Sequence, residues 1–331
     1  MGPREVNPVV KRSIKAGLRF LAKSQGSDGG FGKGSWENTR YRTYAAAITP
    51  LAGLAFLASG STPTRGPYAK NLQMITDFIL KQCVGKHSVP TLIAQGGYRE
   101  ERPMYCHAFN MTYLALIFAQ ETNDKRKEKI RKVLRDAIEV TGRTQTRDGG
   151  WGYRPDDRDD EGTLVVTFLQ GLRACRDAGI YVPKTVIDKG IKYIKDSTNP
   201  NGSVRYRVRS TRTRPGVTCA SVVALWQAGE YESPLLKLIT DHVIRYVEPR
   251  HAGDWSRGHH AEYVQYYLAQ SQHILGGDRW TRYYKKVSAV LTAEQNTDGS
   301  WEGRDQGDIY GTVIALLVLQ LPYNRLSIYQ R

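Results

Sequence analysis

A glycine turn followed by an aromatic or apolar residue recurs along the whole chain, about 50 residues apart, and this period indicates a repeat architecture. The clearest copy runs from Gln295 to Trp301, where glycine accepts the positive φ of a tight reversal and Asp298 can bond the turn backbone. Five weaker copies are Gly29-Gly30-Phe31, Gly96-Gly97-Tyr98, Gly149-Gly150-Trp151, Gly202-Ser203-Val204 and Gly253-Asp254-Trp255. The sequence therefore predicts six similar units.

Each unit pairs an amphipathic helix before the turn with an apolar helix after it. In the last unit Tyr284, Val287 and Leu291 fall at helical spacing, whereas 309–321 is apolar nearly all round. Six buried helices in an inner ring and six amphipathic helices outside would satisfy this pattern, and closing the ring removes exposed ends. We predict an all-α (α/α)6 toroid. The alternative is an open helical solenoid, whose last helix should be polar on one face.

The six units follow one another without a linker rich in proline, serine or charge, so we predict a single domain over 1–331. Three local signals mark helix ends: Ser233-Pro234 as an N-cap with its N1 residue, Thr185 as an N-cap, and Gly60 as a C′ residue. The predicted units span 8–60, 70–121, 127–179, 185–229, 233–276 and 280–321.

The charge balance restricts the partners. Lys and Arg number 48 against 32 Asp and Glu, a net charge of +16, which favours an anionic partner or simply a solvated basic surface. No apolar run approaches the ~20 residues that span a bilayer, so we expect no transmembrane segment and a soluble protein. We also expect no specific nucleic-acid partner. The compartment stays open: cytoplasmic as the sequence stands, or exported if Met1-Gly2 replaces a removed leader.

The Gln295 to Trp301 segment is similar to the Gln-to-Trp repeats of terpenoid cyclases and protein prenyltransferases. Within that superfamily the chain most resembles the bacterial, planctomycete-type prenyltransferase and squalene-oxidase repeat proteins, through 104–108, 149–153 and 321–331. The resemblance covers essentially the whole chain. It implies a toroid with an apolar ligand in a central cavity, but it is far less specific for an activity.

Protein prenyltransferases hold zinc through an Asp and a Cys on one inner helix and a His on another. In this sequence Val217-Thr218-Cys219 resembles the Asp-x-Cys position without its Asp, and Gly311 stands where the His is expected. A zinc site needs three or four ligands, so we expect no tightly bound zinc and no other cofactor. The four cysteines are scattered singly, and we expect free thiols.

Class II terpene cyclases use an Asp-x-Asp-Asp motif whose middle acid protonates an alkene, and Asp157-Arg158-Asp159-Asp160 matches these letters. The resemblance therefore makes Asp157, Asp159 and Asp160 candidate catalytic residues. A protonated acid needs burial, whereas Arg158 would hold its neighbours ionised. Acids before a helix also commonly solvate a loop, and this plainer interpretation is favoured.

In a toroid every inner helix runs in the same direction, so their N-termini meet at one mouth of the ring. We predict a ligand pocket there, favourable to anions, with His, Cys and Tyr around it. Cap and core roles are the competing interpretation for each of these residues. The candidates are Tyr44, Cys106, His107, Cys219, His259, His260, Tyr263 and Tyr310.

Arginines alternate with other residues before the fourth inner helix, which suggests an extended loop with one cationic side. Arginine binds phosphate or carboxylate bidentately, so this loop is an anion-binding candidate, with a solvated loop as the alternative. Its members are Arg205, Arg207, Arg209, Arg212 and Arg214.

Glycoside-cleaving toroids need a carboxylate pair across a groove. Candidates for such a pair are Glu100, Glu101, Asp159, Asp160 and Glu262. Tyrosine outnumbers phenylalanine by 20 to 7, which favours a lined cavity because a dry core must satisfy every hydroxyl.

The sequence is consistent with two functions. The first is a terpenoid-cyclase-like or prenyltransferase-like protein that binds an apolar, isoprenoid-type ligand, with or without a diphosphate, and the residues leave open whether it is catalytic. The second is a non-catalytic binding or scaffold protein that uses its basic surface on an anionic partner.

Overall fold

The chain folds as a closed ring of paired helices. The computed structural model describes 6–31, 45–83, 102–255, 260–304 and 306–330, and no strand occurs within these ranges. The helices are α1 (Pro8–Ser24), α2 (Ala45–Ala58), α3 (Ala69–Gln82), α4 (Pro103–Phe118), α5 (Asp124–Arg143), α6 (Gly162–Asp177), α7 (Lys184–Ser197), α8 (Pro215–Ala228), α9 (Pro234–His242), α10 (Glu248–His251), α11 (Ala261–Leu275), α12 (Gly277–Ala293) and α13 (Asp308–Gln320). A π-helical turn (Val243–Val247) joins α9 to α10, and short 3₁₀ turns cover Leu321–Tyr323 and Ser327–Tyr329.

The predicted (α/α)6 toroid is confirmed. Helices α2, α4, α6, α8, α11 and α13 form the inner ring, in which each contacts the next and α13 returns to α2. Apart from Tyr310, every residue from Ile309 to Gln320 is buried, as expected for an inner helix. The amphipathic α12 buries Tyr284, Val287 and Leu291 and lies outside. The open solenoid is therefore wrong.

The recurring turns attach each unit to the outer helix of the next. Gln145 Nε2 shows the device: it donates to Gly149 O at 2.9 Å within its own turn and to Val186 O at 3.0 Å on α7. Four of the turn glycines have φ between +83° and +94°, and an added Cβ at each would meet a backbone carbonyl oxygen of that next helix. The distance from the added Cβ to that oxygen is 2.2 Å for Gly29 and Met74, 2.4 Å for Gly149 and Lys189, 2.3 Å for Gly202 and Leu238, and 2.7 Å for Gly299 and Ala16.

The same device joins the last unit to the first. Gln295 Nε2 donates to Gly299 O at 2.9 Å and to Ser13 O of α1 at 3.0 Å, while Ser13 Oγ donates to Gln295 Oε1 at 2.6 Å. On the inner ring, Gln320 Nε2 donates to Ala55 O at 3.1 Å. Each of these amides bonds across the junction of the last unit with the first, so together they fix both the register and the closure.

Two of the tryptophans that end a turn, Trp151 and Trp301, fold back on their own unit. Trp151 Nε1 donates to Thr141 O at 2.8 Å, and Trp301 Nε1 donates to Leu291 O at 2.7 Å. Both side chains are fully buried. Burying so large a ring stabilises the packing of the inner helix on the outer one.

Two of the three predicted helix-end signals are confirmed. Ser233 Oγ accepts from Leu236 N at 3.1 Å with Pro234 in the first turn, and Gly60 follows α2 with a φ of +93°. The prediction that Thr185 is an N-cap is wrong, because α7 begins at Lys184 and Thr185 lies inside it. Pro183 occupies the capping position and makes no side-chain hydrogen bond. None of the described helices is both long and apolar enough to cross a bilayer.

Candidate functional site

A cavity of about 160 Å³ lies at the end of the ring where the inner helices begin. Residues near the start of α2, α4, α6, α11 and α13 contribute to it, so the predicted convergence of inner N-termini is observed. Its lining residues are Ala47, Ile48, Leu51, Arg102, Tyr105, Phe109, Tyr153, Thr163, Tyr206, His260, Glu262, Tyr263, Gln306 and Tyr310.

Tyrosine and phenylalanine supply six of the fourteen lining residues. Tyr105 lies with its ring centroid 6.2 Å from that of Phe109 and 6.2 Å from that of Tyr153. The hydroxyls of Tyr153 and Tyr206 are hydrogen-bonded to each other, which joins the turn of one unit to the loop of the next. Tyr263 packs edge-on against Tyr267 behind the wall at 4.8 Å. The cavity thus offers several ring faces to a ligand.

Glu161 is a buried carboxylate directly behind this wall. It is the N-cap of α6 and accepts from Thr163 N and Leu164 N, each at 3.1 Å. Tyr105 Oη, on the cavity wall, donates to Glu161 Oε1 at 2.7 Å. Burial raises the pKa of Glu161, and the hydrogen bonds from Thr163 and Tyr105 oppose that rise. The carboxyl group is therefore fixed in place and linked to the cavity by one phenol.

Two further groups add charge at the cavity. Glu262 lines it, is only 1% exposed, and accepts from Arg304 N at 2.7 Å through Oε1. Arg102 lies at the start of α4 with its guanidinium carbon 4.4 Å from the centre of the Tyr153 ring. One acidic and one basic side chain therefore line the cavity.

The structure places the Asp157 to Asp160 run outside the cavity. Asp157 Oδ2 accepts from Arg154 N at 2.8 Å in a turn, and the Asp159 side chain is 84% exposed. Asp160 is buried, where its Oδ2 accepts from Thr146 Oγ1 and burial raises its pKa. None of the three is among the described residues that line the cavity, so their catalytic role stays a prediction without support from this geometry.

Three of the predicted ligand-binding residues, His260, Tyr263 and Tyr310, line the cavity. Tyr44 and His259 lie outside the described residues, as do Glu100 and Glu101. His260 has a φ of +62° at the N-cap of α11, which turns the chain into that helix.

The remaining predicted side chains are core groups. Cys106 is fully buried in a small cluster with Ala46 and Ala47, and Cys219 is fully buried with its thiol pKa raised by desolvation. His107 is also fully buried, with Nε2 at 3.0 Å from Ala137 O and 3.1 Å from Thr141 Oγ1. The cavity is formed without these three residues.

His107 predicts an acid-sensitive fold. Burial lowers its pKa from 6.5 to about 4, so the unfolded chain binds more protons than the folded one between these pH values. The neutral His107 side chain makes its full contribution to stability above pH 6.5. As the pH falls towards 4, the free energy of unfolding decreases by ~3 kcal/mol. Denaturant titrations at both pH values should show this loss in the native protein and a smaller one in His107→Gln. Equal losses in both proteins would contradict the assignment.

Two of the five arginines in the loop are paired with acids of the same chain. Arg207 pairs with Asp159 at 3.5 Å and Arg209 with Asp148 at 3.6 Å. Arg205 donates to backbone carbonyls at the end of α7, while Arg212 is exposed. These partners leave less charge for a ligand than the sequence suggests, and the anion-binding role of the loop stays a prediction.

Sequence reasoning missed the residues that carry most of the wall. Tyr153 and Tyr206 lie two positions after Trp151 and Val204, the same slot in adjacent units, and this repetition was a usable signal. Glu161 was hidden by the acids before it, because a charge run does not reveal which member faces inwards. Among the described residues, no three His, Cys, Asp or Glu side chains are grouped to hold a metal ion. The absence of tightly bound zinc stays a prediction.

Comparisons with known proteins support the fold. No family model matches the chain, and no curated protein matches it. Among solved structures, the chain is similar to the type II terpene cyclase MstE from Scytonema in complex with geranylgeranyl dihydroxybenzoate, its substrate. The TM-score is 0.61 at 13% identity, over 96% of this chain and 98% of that one.

Other toroids resemble the chain to a similar degree. An inactive variant of the α-1,6-mannanase GH76A of Salegentibacter in complex with α-1,6-mannotetrose gives a TM-score of 0.65 at 10% identity, over 96% of this chain and 99% of that one. A protein from Actinoplanes gives 0.58 at 13% identity, over 96% and 99%. At such low identity these likenesses establish the shared toroid fold and nothing about the reaction.

Proposed function

We propose that this chain is a terpenoid-cyclase-like or prenyltransferase-like protein that binds an apolar, isoprenoid-type group in the cavity at the inner-helix N-termini. The observation that carries the proposal is the wall of Tyr105, Phe109, Tyr153, Tyr206 and Tyr263 around one cavity. Aromatic faces bind apolar groups and stabilise positive charge that develops on them. The type II terpene cyclase that shares this fold is described with a geranylgeranyl substrate.

The size of the cavity limits what it encloses. A volume of about 160 Å³ resembles the engineered apolar cavity of roughly 150 Å³ that holds benzene. It therefore accommodates roughly one five-carbon isoprene unit, and the rest of a longer chain lies outside this volume. Arg102 and the N-terminal ends of the inner helices favour an anionic head group such as a diphosphate at the same end.

Three groups at this cavity can take part in acid or base chemistry: Glu161, Glu262 and His260. Glu262 lines the wall, and Glu161 reaches it through Tyr105 Oη. A general acid must retain its proton at the working pH, and the raised pKa of Glu161 is in the required direction. Asp157, Asp159 and Asp160 are separated from the cavity by their own turn and hydrogen bonds.

Closing the cavity should abolish binding. Ala47 lines it at 6% exposure, so Ala47→Phe fills part of the volume, whereas Ala289→Phe makes the same substitution on the exposed surface of α12. Farnesol or farnesyl diphosphate at about a hundred times its Kd should stabilise the native protein by ~2.7 kcal/mol. We expect the ligand-induced rise in Tm to survive in Ala289→Phe and to disappear in Ala47→Phe.

The choice of ligands separates the proposal from its rivals. Stabilisation by farnesyl diphosphate but not farnesol would assign the diphosphate to the site, and α-1,6-mannotetrose serves as the carbohydrate control. If neither isoprenoid raises Tm, or if Ala47→Phe responds like the native protein, the proposal is refuted. The non-catalytic scaffold with an anionic partner would then be the better interpretation.

A further inference from the structure

A second, larger concavity of about 750 Å³ lies at the opposite end of the ring from the aromatic cavity. It runs between α1 and the segments that follow the C-terminal ends of α2 and α13, and we call it the basic groove. Lys11, Lys15 and Arg19 of α1 form one side, Tyr68 and Tyr323 border the other, and Gln320 lies at the base. Among the described residues that line it, none is acidic.

The cations of the basic groove are not neutralised. Lys11, Lys15 and Arg19 are spaced four residues apart and so share one face of α1, which contains no acidic residue. Other outer helices pair their lysines with aspartates four residues on, as in Lys184 with Asp188 and Lys192 with Asp196 on α7. Like charges at this spacing repel one another, so an anion in the groove would stabilise α1.

Compensation of helix C-termini does not account for these cations. The final carbonyls of α2 do attract positive charge, but Arg325 already supplies it by donating to Ala58 O at 3.3 Å and to Ser59 O. Within the described residues, the side chains of Lys11, Lys15 and Arg19 make no hydrogen bond or ion pair. All three are exposed and free to meet a ligand.

Gln320 adds an independent polar requirement. It is only 2% exposed, and its Nε2 is committed to Ala55 O, which fixes the orientation of the amide. Its Oε1 is buried without a hydrogen-bond partner among the described residues. A buried acceptor left unpaired costs free energy, and a hydroxyl donor from a ligand would satisfy it.

We propose that the basic groove binds a phosphate ester that carries hydroxyl groups. Lys11, Lys15 and Arg19 meet the phosphate, Gln320 Oε1 accepts from a hydroxyl, and the two tyrosines border the remainder. The volume lies within the range of small-molecule sites. This site does not depend on the function proposed for the aromatic cavity. Its chemistry fits both a soluble polyol phosphate and the head group of a phospholipid.

The test compares charge reversals of equal size on two outer helices. Lys15→Glu with Arg19→Glu reverses two of the three α1 cations of the groove, whereas Lys184→Glu with Lys192→Glu makes the same change in net charge on α7. Glycerol 3-phosphate and inorganic phosphate are titrated calorimetrically, and vesicles of phosphatidylcholine with phosphatidylglycerol are tested by cosedimentation. We expect the groove variant to lose at least about tenfold in affinity and the α7 variant to bind like the native protein.

Gln320→Met tests the hydroxyl contact, with Tm as the check that the variant folds. It should weaken binding of glycerol 3-phosphate while leaving binding of inorganic phosphate unchanged. Groove-dependent binding in solution identifies a soluble phosphate, and groove-dependent binding to vesicles alone identifies a lipid head group; either result supports the proposal. Absence of binding to all three probes, or equal losses in the two charge-reversal variants, would overturn it.

Discussion

Gly149→Ala is expected to destabilise the protein far more than Gly229→Ala, although the two glycines have nearly identical φ values of +94° and +95°. Placing alanine in the left-handed region costs about 1–2 kcal/mol at either position. At Gly149 the new Cβ would also lie 2.4 Å from Lys189 O on α7, whereas at Gly229 nothing lies within 4 Å. Separating the turn from α7 adds roughly 1–3 kcal/mol, and it strains both bonds made by Gln145.

Denaturant unfolding of the two variants measures this difference directly. The φ penalty is common to both variants. The difference between their free energies of unfolding therefore measures the cost of the close contact between the turn and the next outer helix. Equal destabilisation of the two variants would show that the turn can move away from α7 at no cost. Close packing of the turn on that helix would then no longer explain why glycine recurs at this position.

Trp301→Ala is the second large effect we expect, at about 3–5 kcal/mol. The ring is fully buried, its Nε1 donates to Leu291 O, and its backbone N donates to Thr312 Oγ1 at 2.9 Å. It also lies against Gly17 of α1, where an added Cβ would be 2.7 Å from Trp301 Cζ3. The substitution therefore leaves a cavity at the junction of the last unit with the first.

Trp301→Phe is the control, because it keeps a ring but loses the indole N–H. It should cost roughly 1–3 kcal/mol, because the buried carbonyl of Leu291 loses its donor, plus a smaller loss of packing. Thermal and denaturant unfolding of both variants give the comparison. A loss in Trp301→Ala no greater than that in Trp301→Phe would mean that the neighbouring helices collapse into the space.

The ring could be predicted from the sequence because its causes are periodic. Helix periodicity separated the buried 309–320 from the amphipathic α12, and repetition of the turn marked the units. What periodicity could not provide was the partner of each turn. Gln145 and Gln295 each stand four residues before the turn glycine, but this spacing does not reveal which carbonyl of the following outer helix each one reaches.

The site was harder to predict because it depends on which way individual side chains point. His260, Tyr263 and Tyr310 were found by their position at the start of inner helices. The acids before α6 were all visible, yet Asp159 faces solvent while Glu161 turns inwards to cap the helix. Two residues on an irregular loop can face opposite ways, and only packing decides between them.

Closure of the ring through Gln295 and Ser13 has a consequence for how the protein comes apart. In an open array a terminal unit has a single neighbour and can fray after losing one interface. In the closed ring every unit lies between two others, so the first unit to detach must break two interfaces at once. After that step the remaining units form an open array and can be lost one interface at a time. The first detachment is therefore the costliest, and unfolding should be concerted rather than progressive.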